Sequence, residues 1–233
     1  MNAVIFDMDG LIFDTGKVFA LAWDYAGEKT GIGKAGYMLG KTQGMGFSAA
    51  RELWVDEFGG SYDEEGMRKY TREFLQKYYA ANRVPVKEGL YILLNYLRNK
   101  GSRLAVASSS PGWEVENHLR QAGIWDYFKV IVCGEMVKHS KPAPDIYIKA
   151  CELLMEKPED CIALEDSRNG ILSACRAGCN TVMVPDLWQP DKVTESMLSV
   201  SYTHLDVYKR QVLSWLYFWS LSYSGWPIWI YKV

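Results

Sequence analysis

The sequence has no CxxC pair, and none of its three histidines stands at zinc-ligand spacing from Cys133, Cys151, Cys161, Cys175 or Cys179. That argues against a thiolate metal site, and the five cysteines, set in apolar segments, read as buried reduced thiols of a cytoplasmic protein. Charge of either sign is not in excess: 26 basic and 28 acidic residues give −2, with no local run of Lys and Arg. Without a basic patch there is no footprint for nucleic acid, so the expected partner is a small molecule. No basic stretch followed by a long apolar run opens the chain, so no secretory signal is expected. What is present suffices for a core. The 233 residues, 48% hydrophobic and 23% charged, accommodate one globular unit with a second inserted in it.

Residues 4–15 read VIFDMDGLIFDT. Val4, Ile5 and Phe6 form a short apolar run that reads as a buried strand. Alternation then puts Asp7 and Asp9 on one side at its carboxyl end, with Met8 turned away. Gly10 permits a sharp exit. Two carboxylates this close repel each other and resist burial, which a cation beside them relieves. An isolated DxDG equally caps a turn or a helix, so the later stretches decide.

From residue 15 to about 81 the periodicity is helical, with Phe19, Leu21, Trp23 and Tyr25 in one segment and Met67, Tyr70, Phe74, Leu75 and Tyr78 in another, which predicts an all-helical insert. Six glycines between 31 and 46 punctuate this region, and 34–47 reads as helix breaks and a loop. The stretch 83–89, RVPVKEG, reads as an extended return. Helices then fall at 90–99, 113–122, 144–155 and 170–177, alternating with strands at 104–107, 130–133, 161–164 and 181–184. Such alternation predicts an α/β fold, a doubly wound Rossmann-like parallel sheet whose ligands collect at the carboxyl ends of the strands.

Polar residues gather at those ends. Ser108, Ser109 and Ser110 follow the strand LAVA and precede a helix, a place suited to a phosphate; helix capping competes for Ser110. Lys141 precedes Pro142 in KHSKPAPD, which restrains the backbone behind a point charge suited to phosphate. Glu165 and Asp166 end the strand CIAL, a second acidic pair able to share a divalent cation with the first, although Asp166 also reads as a helix cap.

The four stretches DMDG, ASSS, SKPAPD and LEDS, in this order, resemble those of the haloacid dehalogenase-like hydrolase superfamily, in the branch with a helical cap inserted after the first strand. The resemblance spans residues 1–199. It implies a core of 1–14 and 85–199 with a cap of 15–84, and a fourth core strand beside the first. By the same resemblance Asp7 is the nucleophile that forms an aspartyl phosphate and Asp9 is the general acid and base. Ser108, Ser109 and Lys141 hold the phosphoryl group. Mg²⁺ binds to Asp7, Asp166 and the backbone carbonyl of Asp9, assisted by Glu165. The implied protein is a soluble monomer or weak dimer acting on a small phosphorylated metabolite, with no membrane partner.

Departures narrow the reaction. Sugar-phosphate mutases of this family usually carry histidine where Phe19 stands and basic residues in the cap loop, where 38–47 offers only Lys41. Gly16 replaces a frequent glutamate, and Asp9 itself excludes the carbon–halogen-cleaving branch. A phosphatase is therefore favoured over a mutase such as β-phosphoglucomutase, and over a catalytically idle binding module. Trp23, Tyr37 and Trp54 read as cap core rather than substrate contacts. Beyond residue 199 the pattern breaks. The segment 200–211, VSYTHLDVYKRQ, back-translates to an inverted repeat matching a transposase-type sequencing adaptor, so 200–233 is expected to be a non-native tail that replaces the last strand and helix. The uncharged run 212–230 is long enough on its face for a membrane span, but its polar and Gly/Pro interruptions disfavour one.

Overall fold

The computed structural model describes residues 3–42, 47–184, 186, 196–198 and 200–201. Its centre is β1 (Ala3–Phe6), whose four side chains are all buried, as a strand covered on both faces requires. Around it stand β2 (Arg103–Ala107), β3 (Val130–Val132), β4 (Cys161–Glu165), β5 (Asn180–Met183) and the two-residue β6 (Val200–Ser201). All pairings are parallel and the order is β3-β2-β1-β4-β5-β6. The order reverses at β1, which has β2 on one side and β4 on the other, with Phe6 level with Val106 and Leu164. The doubly wound sheet predicted from the alternation is therefore present, with the fourth core strand beside the first. It also gains β6 at its edge, where the last strand was expected to be missing. The remaining tail residues, 202–233, including the run weighed as a membrane span, lie outside the described residues. Among those described, no helix is long and apolar enough to cross a membrane.

The two faces of the sheet differ in side-chain size. On one face Val4, Phe6, Leu104, Val106, Ile162 and Leu164 cluster with the leucines of α5 (Leu90–Asn99) and with Val115 and Leu119 of α6 (Gly112–Gln121). On the other, Ala3, Ile5, Ala105, Ala107 and Ala163 leave room for α7 (Asp145–Leu154) to settle closely, burying Tyr147 completely, with α8 (Arg168–Ala177) beside it. Each large side chain buried in these layers contributes about 2 kcal/mol.

The insert is α1 (Gly16–Thr30), α2 (Met38–Thr42), α3 (Phe47–Phe58) and α4 (Glu64–Ala81). The stretch expected to be loop contains α2, a helix of five residues; residues 43–46 lie outside the description. Trp54 anchors a small core of its own, edge-on to Trp23 at 5.1 Å and stacked on Tyr62 at 5.4 Å, while Tyr37 is exposed and donates to Glu57 at 2.7 Å. Asp63 caps α4 by accepting from Gly66 N at 2.9 Å, ahead of Glu64 and Glu65 in the first turn, where the helix dipole favours negative charge. The two chain crossings between insert and sheet run side by side. Asp14 N donates to Pro85 O at 2.8 Å and Lys87 N to Ile12 O at 2.9 Å, with an antiparallel bridge between Phe13 and Val86.

Candidate active site

Asp7 leaves the end of β1 with its N–H still bonded to Leu164 O at 3.0 Å, so the β1–β4 pairing fixes it beside Asp166, which follows β4. Met8 turns into the core, fully buried. The chain then turns back on itself at Gly10, whose φ of 86° is open to glycine, and Gly10 N donates to Phe13 O at 2.9 Å. This turn presses Gly10 against Asp166: a Cβ there would lie 2.0 Å from Oδ2.

Lys141 reaches the same point from the other side. Its ammonium donates to Asp7 and to Glu165 Oε1 at 2.7 Å and Ala107 O at 3.0 Å, which uses all three protons of the group. Burial alone would lower its pKa, but Asp7 and Glu165 outweigh it and hold the ammonium above its ordinary value. Glu165 is fully buried. Its Oε1 also accepts from Tyr147 Oη at 2.6 Å, and its Oε2 from Ser167 Oγ at 3.2 Å.

Carboxylate oxygens of Asp7, Glu165 and Asp166 lie within 4.8 Å of one another. Burial pushes the Asp7 carboxyl up to about 8 against the pull of Lys141, and Glu165 and Asp9 add to the push. Asp166 is raised well above the carboxylate range by burial and then by Asp7 and Glu165. Asp166 Oδ1 is buried with no hydrogen-bond partner among the described residues. An orphaned carboxylate oxygen beside a second buried carboxylate fits a divalent cation, which would satisfy the lone pairs and return both groups to their ionised forms. With the lone pairs of Glu165 already engaged by Lys141, Tyr147 and Ser167, the open donors of the cluster are Asp7 and Asp166.

Asp9 is held apart from this pair. Its Oδ2 accepts from Ser110 Oγ at 2.8 Å. Burial raises its pKa although the Ser110 and Thr15 hydroxyls act to lower it. Ser110 therefore does not cap α6, which begins after Pro111 with no side-chain cap; it orients Asp9. Ser108 is buried at the end of β2, accepting from Ser110 N at 3.0 Å, while Ser109 is exposed. Thr15 escaped the sequence reading, which named Ser110 as an anion-site or capping residue without finding its partner, Asp9.

A cavity of about 620 Å³ opens between insert and core, lined by Arg68, Arg72, Gln76 and Tyr79 of α4 and by Pro111, Trp113 and Glu114, next in the chain to the Ser110 that holds Asp9. Burial first and Asp9 second raise Glu114 to about 7. Beneath the cavity floor the ring of Tyr79 meets His118 edge-on at 4.5 Å, and His118 meets Phe13 at 5.6 Å. Lys41, the loop cation, is spent on Glu57 at 2.7 Å.

A family model described as haloacid dehalogenase-like hydrolase matches residues 4–184. The chain belongs to this family. Among its relatives is the phosphorylated carbohydrates phosphatase of Thermotoga maritima, 29% identical over 182 residues, 78% of this chain and 84% of that one. The β-phosphoglucomutase of Bacillus subtilis is 31% identical over 191 residues, covering 79% and 83%. A crystal structure of CbbY from Rhodobacter sphaeroides in complex with phosphate superposes with a TM-score of 0.64 at 27% identity, over 79% of this chain and 86% of that one.

Proposed function

We propose that this haloacid dehalogenase-like hydrolase is a Mg²⁺-dependent phosphatase that cleaves a small phosphomonoester through an aspartyl phosphate on Asp7. The observation that carries it is the division of labour between two aspartates two residues apart. Asp7 is gripped by Lys141 beside the unpartnered Asp166 Oδ1, whereas Asp9 is held separately by Ser110. A carboxylate oxygen of Asp7 attacks phosphorus and the ester P–O bond breaks; Asp9 gives its proton to the departing alcohol oxygen. Asp9, now ionised, takes a proton from water, whose oxygen attacks phosphorus and releases Asp7 and inorganic phosphate. The raised pKa of Asp9 suits a group that must first donate. Ser108 and Lys141 would steady the phosphoryl oxygens, and Glu165 would hold Lys141 in place. Asp7, Asp166 and the Asp9 backbone carbonyl would hold Mg²⁺, which when bound neutralises oxygen charge on the transferring group.

Hydrolysis is favoured over isomerisation because Phe19 offers no proton and Lys41 is already paired with Glu57. The test is phosphate release from 4-nitrophenyl phosphate with Mg²⁺, and from a hexose phosphate with isomeric product followed in parallel. Chelation should abolish release. Asp7→Asn should lower kcat by at least about a thousandfold with the unfolding temperature retained. Wild-type turnover by Asp7→Asn would remove Asp7 from its role, and isomer accumulating ahead of phosphate would favour a mutase.

A further inference from the structure

We infer that Lys87 and Asp186, paired at the root of the insert, are positioning residues that set how tightly the site of Asp7 and Asp166 holds a divalent cation. This rests on the Mg²⁺ site of the phosphatase reading and names two residues outside that site that govern it.

The chains leaving β4 and β5 run side by side. Glu165 is level with Met183 across the parallel pair, and Val184 N still donates to Glu165 O at 2.7 Å. One chain carries Asp166 just past β4, and the other carries Asp186 shortly past β5. Asp186 Oδ1 accepts from Lys87 Nζ at 2.5 Å, and the two side chains are only 8% and 16% exposed. The same ammonium stands 3.5 Å from Asp14 Oδ1, while the Lys87 N–H is fixed on Ile12 O. Lys87 thus joins both chain crossings to the strand end beside Asp166. Asp14 has a cation of its own in the exposed Lys17 at 2.9 Å, so Lys87 serves chiefly as the counter-charge of Asp186.

The charge of the site follows from these pairs. Asp7, Glu165, Asp166 and Asp186 face the ammoniums of Lys141 and Lys87. Asp9 carries its proton at the start of the proposed reaction, and Asp14 and Lys17 cancel. The excess is two negative charges, which one divalent cation neutralises. Without Lys87 the excess would be three, and without Asp186 it would be one. The carboxylate of Asp186 is near enough to act: after burial, Asp7 and Glu165, it is the next cause that raises Asp166. In surroundings between water and protein interior, one unit charge gained or lost near a divalent ion changes its affinity by about tenfold. A pair that merely tied insert to core would have no such effect, or would weaken binding whichever partner was removed.

The probe is Mn²⁺, bound to the whole protein without substrate and followed by the free-ion electron paramagnetic resonance signal, with Mg²⁺ as competitor. Asp186→Asn should raise the dissociation constant about tenfold, and Lys87→Met, which keeps the length of the stem, should lower it by a similar factor. The double variant should return near the wild-type constant, and Lys87→Arg, which keeps the charge, should match it as well. Each single replacement opens a largely buried pair and lowers the unfolding temperature. Stability therefore moves one way in both variants while affinity moves in opposite ways. Weaker binding in both single variants, or an unchanged constant in either, overturns the inference and leaves the cation site standing. A wild type that binds no Mn²⁺ displaceable by Mg²⁺ removes the cation site and the inference together.

Discussion

Gly170 lies directly against Glu165: a Cβ at residue 170 would fall 1.9 Å from the carboxylate carbon of Glu165. The first turn of α8 is thus the floor on which Glu165 rests, and Glu165 in turn supports the ammonium of Lys141 at 2.7 Å.

Gly170→Ala should therefore act on catalysis from a residue that touches no substrate. The added methyl forces Glu165 to shift, and with it Lys141. A displacement of about 1 Å in a positioning group lowers turnover by about a hundredfold. The measurement is kcat for 4-nitrophenyl phosphate, with circular dichroism to verify the fold. Wild-type kcat in a folded Gly170→Ala protein would show that Lys141 does not depend on Glu165.

A second glycine bears on the cation. Gly10→Ala meets Asp166 Oδ2 at 2.0 Å while adopting φ 86°, a conformation that costs an alanine about 1 kcal/mol. The larger effect is on Asp166, which must move from the cluster. The Mg²⁺ concentration for half-maximal activity should rise by about tenfold or more. An unchanged Mg²⁺ titration would separate Asp166 from the cation.

His118 makes the fold sensitive to acid. Burial lowers its pKa from an ordinary 6.5 to about 4, and both ring nitrogens lack partners among the described residues. Above the ordinary value the ring is neutral in folded and unfolded chain alike, and it contributes no pH dependence. Between 6.5 and 4 the unfolded chain takes up a proton that the folded chain refuses, so stability falls as pH drops through this window, by up to about 3 kcal/mol in full. Urea unfolding at pH 7 and pH 5 should show wild type losing about 2 kcal/mol more than His118→Phe. Equal losses in the two proteins would place the acid sensitivity elsewhere.

Residues whose partners are near in sequence, or whose strand ends mark them, were legible before any coordinates. The DMDG run, the serines after LAVA and the LEDS pair each sit where a strand stops, and period-two alternation alone aims Asp7 away from Met8. Ser110 was not legible, because a serine ahead of proline reads as a helix cap and its acceptor, Asp9, is 101 residues away. The stripe of Arg68 and Arg72 was hidden for a different reason. On an isolated α4 it is a solvated charged face, and it becomes one wall of a cavity when the insert is set over Trp113 and Glu114. The start of α8 came two residues earlier than predicted, at Arg168, since the Ser167 hydroxyl accepts from Gly170 N at 3.1 Å and draws the first turn forward.

The paired crossings at 12–14 and 85–87 make everything between them, topologically, one long loop. Its ends are held together by the crossings themselves, and closing a longer or shorter loop changes the free energy slowly with length. Insertions, deletions and drift in the helices therefore leave β1 in register with β2 and β4, and Asp7 within reach of Lys141. The carboxylates and Lys141 thus keep their geometry on the sheet side of the crossings whatever length of chain is looped out beyond them.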